Sequence, residues 1–203
     1  MTAPLGEGLY DVPPGHVAAV VTYLEMRARP RPAPLPPSPL RLVRWERPSP
    51  AAYRTLFDRV GRPWLWFSRQ VIDEARLVAI IHDPDVRIWA VVDPQGIEVG
   101  LLELDFREAG QCELSFFGLV AQLGGKGHGR WLMAMALAAG WAGLPDGAPI
   151  QRMWVHTCTL DDPRALGFYR AQGFIPYARK VEVFADPRGA ALPPEAAPRI
   201  PLL

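Results

Sequence analysis

The chain has little cysteine and almost no net charge. It contains 203 residues, of which only Cys112 and Cys158 are cysteines, and no CxxC pair occurs. Two cysteines exclude a disulfide framework, and the missing CxxC pair argues against a structural metal site. Lysine and arginine number 22 against 21 acidic residues, so charge gives no case for a nucleic-acid partner. We therefore expect a reduced, cytoplasmic protein that binds neither metal nor nucleic acid.

Long apolar runs are also missing. The longest, such as residues 17–21, fall far short of the ~20 residues that a membrane span needs. Residues 1–11 contain Glu7 and Asp11 and lack the basic segment and apolar stretch of a signal peptide. The sequence thus predicts no membrane partner. Because 49% of its residues are hydrophobic, it predicts a globular fold with a sizeable core.

Proline is abundant, with 23 residues, and its clusters mark boundaries. Its density in residues 29–39 excludes helix and central strand and favours a stiff extended linker, with a ligand for a proline-binding domain as the alternative. Residues 16–26 predict a strand that pairs with its own sheet or with a second subunit, as in a homodimer. The predicted units are an N-terminal strand and linker (1–39), a main domain (40–185) and an irregular tail (186–203).

Hydrophobic periodicity in the main domain predicts an α+β order. The predicted strands are 40–45, 86–92, 97–106, 111–120, 153–157 and 174–184, and the predicted helices are 50–60, 67–81, 131–142 and 162–172. Short turns join the middle strands, which are therefore antiparallel, whereas the crossover helix 131–142 makes its flanking strands parallel. We expect an α/β/α-type arrangement around a mixed, mostly antiparallel sheet with one parallel strand pair.

The segment Gly-Gly-Lys-Gly-His-Gly, residues 124–129, lies between a strand and a helix. Its glycines let backbone amides converge on one point, and the helix start adds free N–H groups and a positive dipole end. Lys126 and Arg130 add positive charge, so the segment suits a pyrophosphate. A Walker loop is excluded because Gly127 follows Lys126, and the GxGxxG dinucleotide pattern lacks its downstream acid.

A second segment has the spacing Asn-x-x-Ala-x-x-x-Tyr-x-x-x-Gly-Phe, with Asp162 in the place of Asn. The matching residues are Ala165, Tyr169, Gly173 and Phe174. The glycine segment and this second segment occur in the order of two motifs of the GNAT N-acetyltransferases, which use acetyl-CoA. Residues of about 40–183 resemble this family. The resemblance therefore implies a GNAT-like fold.

The glycine motif of that family is Arg/Gln-x-x-Gly-x-Gly/Ala, opening a helix. Gly127 and Gly129 match its two small positions, while Gly124 stands where Arg or Gln is usual. This departure removes one side chain that would contact phosphate, and leaves the backbone cradle. A register that starts two residues earlier, at Gln122, fits the pattern as well.

The resemblance implies that the two parallel strands splay and that acetyl-CoA lies between them. Strand residues near Leu119 would pair with the pantetheine amides, and an N–H there would polarise the thioester carbonyl. Gly118 would mark the bulge that opens the sheet. The implied CoA-binding residues are Leu119, Val120, Ala121, Gly124, Gly125, Lys126, Gly127, His128, Gly129, Arg130, Asp162, Ala165 and Phe168.

Transfer to a primary amine needs an acid and a base. The resemblance makes Tyr169 the general acid for the departing thiolate. An amine of pKa ~10 must lose a proton, and the candidate bases are Glu113, then Glu103, then His156, each of which could instead be a structural residue. We expect direct acetyl transfer to an amine of a small molecule or protein; the alternative is a non-catalytic acyl-CoA-binding or interaction module on the same fold.

Overall fold

The computed structural model describes residues 5–31 and 33–201, which build one seven-stranded sheet. The strands are β1 (His16–Met26), β2 (Arg41–Trp45), β3 (Val86–Val92), β4 (Glu98–Asp105), β5 (Gln111–Leu119), β6 (Arg152–Cys158) and β7 (Ile175–Ala185). Their order is β2-β3-β4-β5-β6-β1-β7. Strands β5 and β6 run parallel, and the other neighbouring pairs of this sheet run antiparallel. The predicted mixed α+β sheet with one parallel pair is confirmed.

The N-terminal strand β1 lies inside the sheet, between β6 and β7. Its Tyr23 stands opposite His156 of β6 and Ala178 of β7, and its Leu24 is fully buried. Of the two partners considered for this strand, the structure shows the chain's own sheet.

The proline-rich segment carries the chain from interior strand β1 to the far edge strand β2. These strands are five neighbours apart, which corresponds to ~24 Å at the usual spacing between strands. An extended polyproline chain covers this distance at ~3.1 Å per residue without needing hydrogen-bond partners. Pro32, within the predicted linker, lies outside the described residues.

Five α-helices and two short 3-10 helices accompany these strands in the described residues. They are α1 (Pro50–Gly61), α2 (Ser68–Val71), α3 (Glu74–Ile81), α4 (His128–Ala142) and α5 (Ala165–Ala171), with 3-10 turns at Arg62–Trp64 and Ala121–Leu123. The single helix predicted over 67–81 is wrong, because Ile72 is extended and Asp73 caps a new helix by accepting from the N–H of Arg76. None of the described helices has the length and apolar character of a membrane span.

The last helix also starts later than predicted. Asp162 does not cap it; its carboxylate accepts a hydrogen bond from the backbone N–H of Arg164, two residues on, and so closes a turn. Helix α5 therefore begins at Ala165. Tail residues 186–200 contain no helix or extended strand, but Leu192, Ala196 and Ala197 are buried.

Helices cover both faces of the sheet and form one core on each face. The face covered by α4 and α5, here the α4 face, buries Leu104, Leu114, Leu132, Met133, Val155 and Tyr169. The face covered by α1 and α3, here the α1 face, buries Tyr53, Phe57, Leu77, Ile88 and Leu101. Each such aliphatic or aromatic side chain contributes about 1.5–3 kcal/mol by leaving water. The two cores hold the middle of the sheet rigidly between them.

Candidate functional site

Strands β5 and β6 pair only at their first residues and then separate. Residues 111–113 pair with residues 152–154. Beyond this point β5 stays paired with β4, and β6 stays paired with β1. Residues 114–119 and 155–158 are therefore the two walls of an open cleft in the middle of the sheet.

The irregularity in β5 is at Ser115. Leu104 of β4 opposes Leu114 while Glu103 opposes Phe116, so Ser115 is the extra residue. The bulge predicted at Gly118 is wrong, because Gly118 pairs regularly with Leu101. Glycine is needed at that position for space: a Cβ would lie 2.6 Å from Val60 and 3.1 Å from Trp66.

The bulge shifts the alternation of β5, so that even-numbered residues before it and odd-numbered residues after it point to the α4 face. Cys112 and Leu114 belong to the core of the α4 face, so Glu113 between them points to the α1 face. After the extra residue, Phe117 and Leu119 pack on the α4 face. The cleft therefore has apolar residues of β5 on one side of the sheet and a carboxylate on the other.

The glycine segment, residues 124–129, forms a turn at the mouth of this cleft on the α4 face, here the glycine turn. Gly125 and Gly127 have φ of +75° and +87°, a conformation that glycine adopts most readily. The N–H of Gly124 donates to Ala121 and that of Arg130 to Gly127. Between them, the N–H groups of residues 125–129 have no hydrogen-bond partner within the described chain. The start of α4 thus presents free donors at the positive end of a helix of 15 residues.

The side chains of this turn contribute unequally. Lys126 and Arg130 are exposed and add positive charge. The His128 ring turns towards the proline-rich segment, where its Nδ1 lies 3.1 Å from the Ser38 hydroxyl. His128 therefore contributes its backbone N–H to the turn, whereas its ring does not.

The strand edge that was predicted to bind pantetheine, residues 119–121, is shorter than expected. The N–H of Val120 donates to the carbonyl of Val99 in the direction of β4, and Ala121 begins a 3-10 helix. Because successive N–H groups of a strand alternate in direction, the N–H of Leu119 faces the cleft.

Helix α5 forms the opposite side of the cleft on the α4 face. The Tyr169 ring packs against Phe117 of β5 and Phe174, with ring centroids 6.2 and 6.1 Å away. Burial raises the pKa of its hydroxyl well above the ordinary value, so the phenol stays protonated at physiological pH. Phe168 stacks on Phe117 at 5.8 Å, and Ala165 packs against the same core.

Glu113 has a histidine neighbour on the α1 face. Its Oε1 lies 3.6 Å from Nδ1 of His156 on the other wall of the cleft, and both side chains are partly exposed. This contact with Glu113 raises the pKa of His156. Tyr23 of β1 stands beside them, with its ring centroid 5.7 Å from that of His156. The resemblance stops short of β1, so the motifs could not reveal Tyr23.

An open groove leads along the α1 face to Glu113. Its volume is about 360 Å³, and it is lined by Asp105, Arg107, Glu108, Gln111, Glu113 and Trp154. The groove offers carboxylates and an aromatic face next to the Glu113–His156 pair.

Glu103 has different surroundings, although it points to the same face. Its side chain is fully buried, and one carboxylate oxygen accepts a hydrogen bond from the Tyr53 hydroxyl. The other accepts from the Arg69 guanidinium at 2.7 Å. Both oxygens are engaged in structural contacts, so the geometry favours Glu113 over Glu103 as the accessible carboxylate.

No family model matches the sequence, and no curated protein does. Solved structures do match. A GCN5-related N-acetyltransferase (GNAT) from Sphaerobacter thermophilus superposes with a TM-score of 0.56 at 16% identity, over 88% of this chain and 55% of that chain. A tandem GNAT protein from the clavulanic acid biosynthesis pathway gives 0.55 at 17%, over 86% and 54%. This chain has the GNAT fold.

A third structure with the GNAT fold is the dodecameric spermidine N-acetyltransferase from Vibrio cholerae. It has a TM-score of 0.51 at 20% identity, over 73% of this chain and 95% of that chain. The present chain spans only about 55% of the length of the first two structures. These similarities concern the fold, and the chemistry must come from the residues of the cleft.

Arg164 is a residue of the cleft that the sequence did not reveal. It precedes α5, and its guanidinium reaches across to the glycine turn: a Cβ added to Gly124 would lie 3.2 Å from Nη2. The same guanidinium pairs with Asp162 at 2.6 Å. The only signal in the sequence was an arginine two residues after Asp162, inside the second GNAT-like motif.

Trp66 covers the cleft on the α1 face of the GNAT fold. Its ring lies beside Gly118 of β5, and its Nε1–H donates to Asp161 after β6 at 3.4 Å. Thr157 and the N–H of Cys158 hold the other oxygen of Asp161. Trp66 thus connects the two walls of the cleft and leaves the Glu113–His156 side as the open approach on this face.

Proposed function

We propose that the protein transfers an acetyl group from acetyl-CoA to a primary amine. The observation that carries this proposal is the cleft between β5 and β6, which has free backbone donors at its mouth and a protonated tyrosine in its wall. The two faces of the cleft give separate approaches for the two substrates.

The CoA donor would bind on the α4 face. The free N–H groups of residues 125–129 suit its pyrophosphate, and Lys126 adds charge. The pantetheine arm would follow the cleft, with Leu119 on one side and Ala165 and Phe168 on the other. The N–H of Leu119 would then donate to the thioester carbonyl and stabilise the oxyanion that forms during attack.

The amine acceptor would approach from the α1 face, along the groove beside Trp154 and Glu113. Its nitrogen attacks the thioester carbonyl carbon, and its proton passes to Glu113, directly or through His156. We assign the base to Glu113 because it is partly exposed and borders the groove, whereas Glu103 is buried with both oxygens engaged.

Collapse of the tetrahedral intermediate breaks the carbon–sulfur bond. Tyr169 would give its proton to the departing thiolate and be re-protonated by solvent before the next cycle. Acid and base thus act from opposite faces of the sheet. The acceptor would be a primary amine of a small molecule or a protein. Glu108 and Glu113 of the groove suit a cationic one, whereas Asp105 is already paired with Arg107.

Calorimetry with acetyl-CoA and turnover of the Tyr169→Phe variant test this function. We expect the wild type to bind acetyl-CoA, and Tyr169→Phe to lose about 10²-fold or more in turnover with nearly unchanged CoA affinity. Tyr10→Phe is the matched control, since Tyr10 is exposed and far along the chain from the cleft. No binding by the wild type at millimolar acetyl-CoA would overturn the function, and unchanged turnover would remove Tyr169 from it.

A further inference from the structure

We propose that Arg164 supplies the pyrophosphate contact that the glycine motif lacks at Gly124. The inference rests on the proposed function, since it needs CoA in the cleft. It assigns to a residue of the opposite wall a role that a side chain of the glycine turn would otherwise fill. Three observations lead to it: the backbone at Gly124, the space beside it, and the way in which Arg164 is held.

The backbone does not require glycine at position 124. Its φ and ψ are −60° and 144°, which any L-residue adopts without strain. Gly125 and Gly127, with positive φ, differ in this respect. Backbone conformation therefore does not explain the glycine at 124, and the space beside it has to be considered.

Space beside Gly124 is limited by Arg164. A Cβ there would lie 3.1 Å from the carbonyl oxygen of Ala121 and 3.2 Å from Nη2 of Arg164. At Gly125, a Cβ would lie 3.7 Å from Nη1 of the same guanidinium. The charged group of Arg164 thus occupies the region that an arginine or glutamine at 124 would enter, next to the free N–H groups of the turn.

Asp162 fixes the orientation of this guanidinium. Its two oxygens accept from Nε and Nη2 of Arg164 at 2.9 and 2.6 Å, and the first also accepts from the backbone N–H. Such a two-point pair holds the guanidinium plane in one orientation. Nη1 takes no part in the pair and is the nitrogen nearest Gly125, and the side chain is 68% exposed.

The arrangement suits a phosphate group. Guanidinium donors match phosphate oxygens in geometry, and the donors of Nη1 stand beside backbone N–H groups that have no partner among the described residues. Asp162, which the resemblance assigns to CoA binding, then acts as a positioning residue for Arg164. Lys126 and Arg130 keep the region positive although Asp162 neutralises one charge.

Calorimetry of the Arg164→Ala variant tests the inference, with CoA and 3′-dephospho-CoA as ligands. We expect both ligands to bind about tenfold more weakly or worse, the loss of one charge-assisted hydrogen bond. Arg170→Ala is the matched control, because Arg170 is an exposed arginine of α5, the helix that Arg164 precedes, and it should leave both affinities unchanged. Thermal unfolding of each variant shows that the fold persists.

A second variant tests whether an arginine at position 124 can replace the one at position 164 in binding CoA. In the Arg164→Ala background, Gly124→Arg should restore most of the lost CoA affinity, because the new side chain enters the vacated space. Unchanged CoA affinity in Arg164→Ala would overturn the inference while leaving the proposed function intact. A loss for CoA that disappears with 3′-dephospho-CoA would also overturn it, since Arg164 would then contact the 3′-phosphate. Failure of the wild type to bind CoA would overturn both.

Discussion

The two faces of the sheet at the cleft are built from different chemical groups. On the α4 face the donors are mostly backbone N–H groups, held by glycines whose φ values are positive. On the α1 face the groups proposed to react are side chains, Glu113 and His156, contributed by two strands. A backbone site demands glycine at fixed positions and so leaves a motif in the sequence, whereas a side-chain site can be assembled from residues far apart in the chain.

Glu103 and Glu113 give a second comparison, this time between two side chains on the α1 face. They lie on neighbouring strands and point to the same side, yet Glu103 is a buried partner of Arg69 and Glu113 borders an open groove. The first carboxylate is buried, and both of its oxygens are held by structural contacts. The second is partly exposed beside His156 and can be reached from the groove.

Substitution of Glu113 has the largest expected effect. Glu113→Gln keeps the shape of the side chain and removes its ability to accept the amine proton. We expect turnover to fall about 10²–10⁴-fold with unchanged affinity for acetyl-CoA, measured by steady-state kinetics and calorimetry. Full activity of this variant would break the comparison, because Glu113 would then be as structural as Glu103.

Glu103→Gln is the control on the other carboxylate. It leaves the partly buried Arg69 guanidinium without a counter-charge, which costs at most about 3–5 kcal/mol of folding free energy. Urea unfolding should detect that loss, whereas Glu113→Gln should unfold close to the wild-type midpoint. An equal loss of stability in both variants would show that the two environments are not distinct.

The backbone side of the comparison is tested by glycine substitutions in the turn. Gly127→Ala puts a Cβ at φ +87°, which costs about 1–2 kcal/mol and disturbs the free N–H groups, so CoA affinity should fall about tenfold. Gly129→Ala is the control: it lies inside α4, and its Cβ would meet Phe168 at an ordinary 3.8 Å. Isothermal titration and thermal unfolding of both variants measure these effects; similar affinities would contradict a backbone cradle.

The smallest expected effect is a shift in pH dependence. Glu113 raises the pKa of His156, so between the ordinary and the raised value the imidazolium persists and holds the carboxylate in an ion pair. His156→Gln removes the imidazolium and with it the ion pair. Because the Glu113 carboxylate is then no longer held by the imidazolium, the rising limb of turnover against pH should move to lower pH. The pair's contribution to stability is present below the ordinary histidine pKa and is lost as pH rises through the raised one. An unchanged position of the rising limb would show that His156 does not affect the general base.

The sequence predicted the parts of the fold that depend on neighbouring residues. The parallel pair followed from the helix between its strands, and the glycine turn followed from its own composition. The position of β1 did not, because nothing in residues 16–26 distinguishes their own sheet from that of another subunit. The bulge at Ser115 carries no glycine signal, since an extra residue in a strand needs none.

The site was predictable to a similar extent. The two glutamates have the same strand setting in the sequence, and only the approach of Tyr53 and Arg69 from other elements separates them. Arg164 escaped notice because Asp162 was expected to cap a helix, whereas it closes a turn and orients that arginine. Long-range packing decides both cases.

The measurement that tests the central claim most directly is amine-dependent release of free CoA from acetyl-CoA. Thiol titration across a panel of primary amines, cationic ones included, follows the reaction, and mass spectrometry of the amine follows its product. We expect thiol release that depends on an amine, with one acetylated amine formed per thiol and a strong reduction in Glu113→Gln. Tight binding of acetyl-CoA without amine-dependent release from any member of the panel would contradict catalysis and indicate an acyl-CoA-binding module.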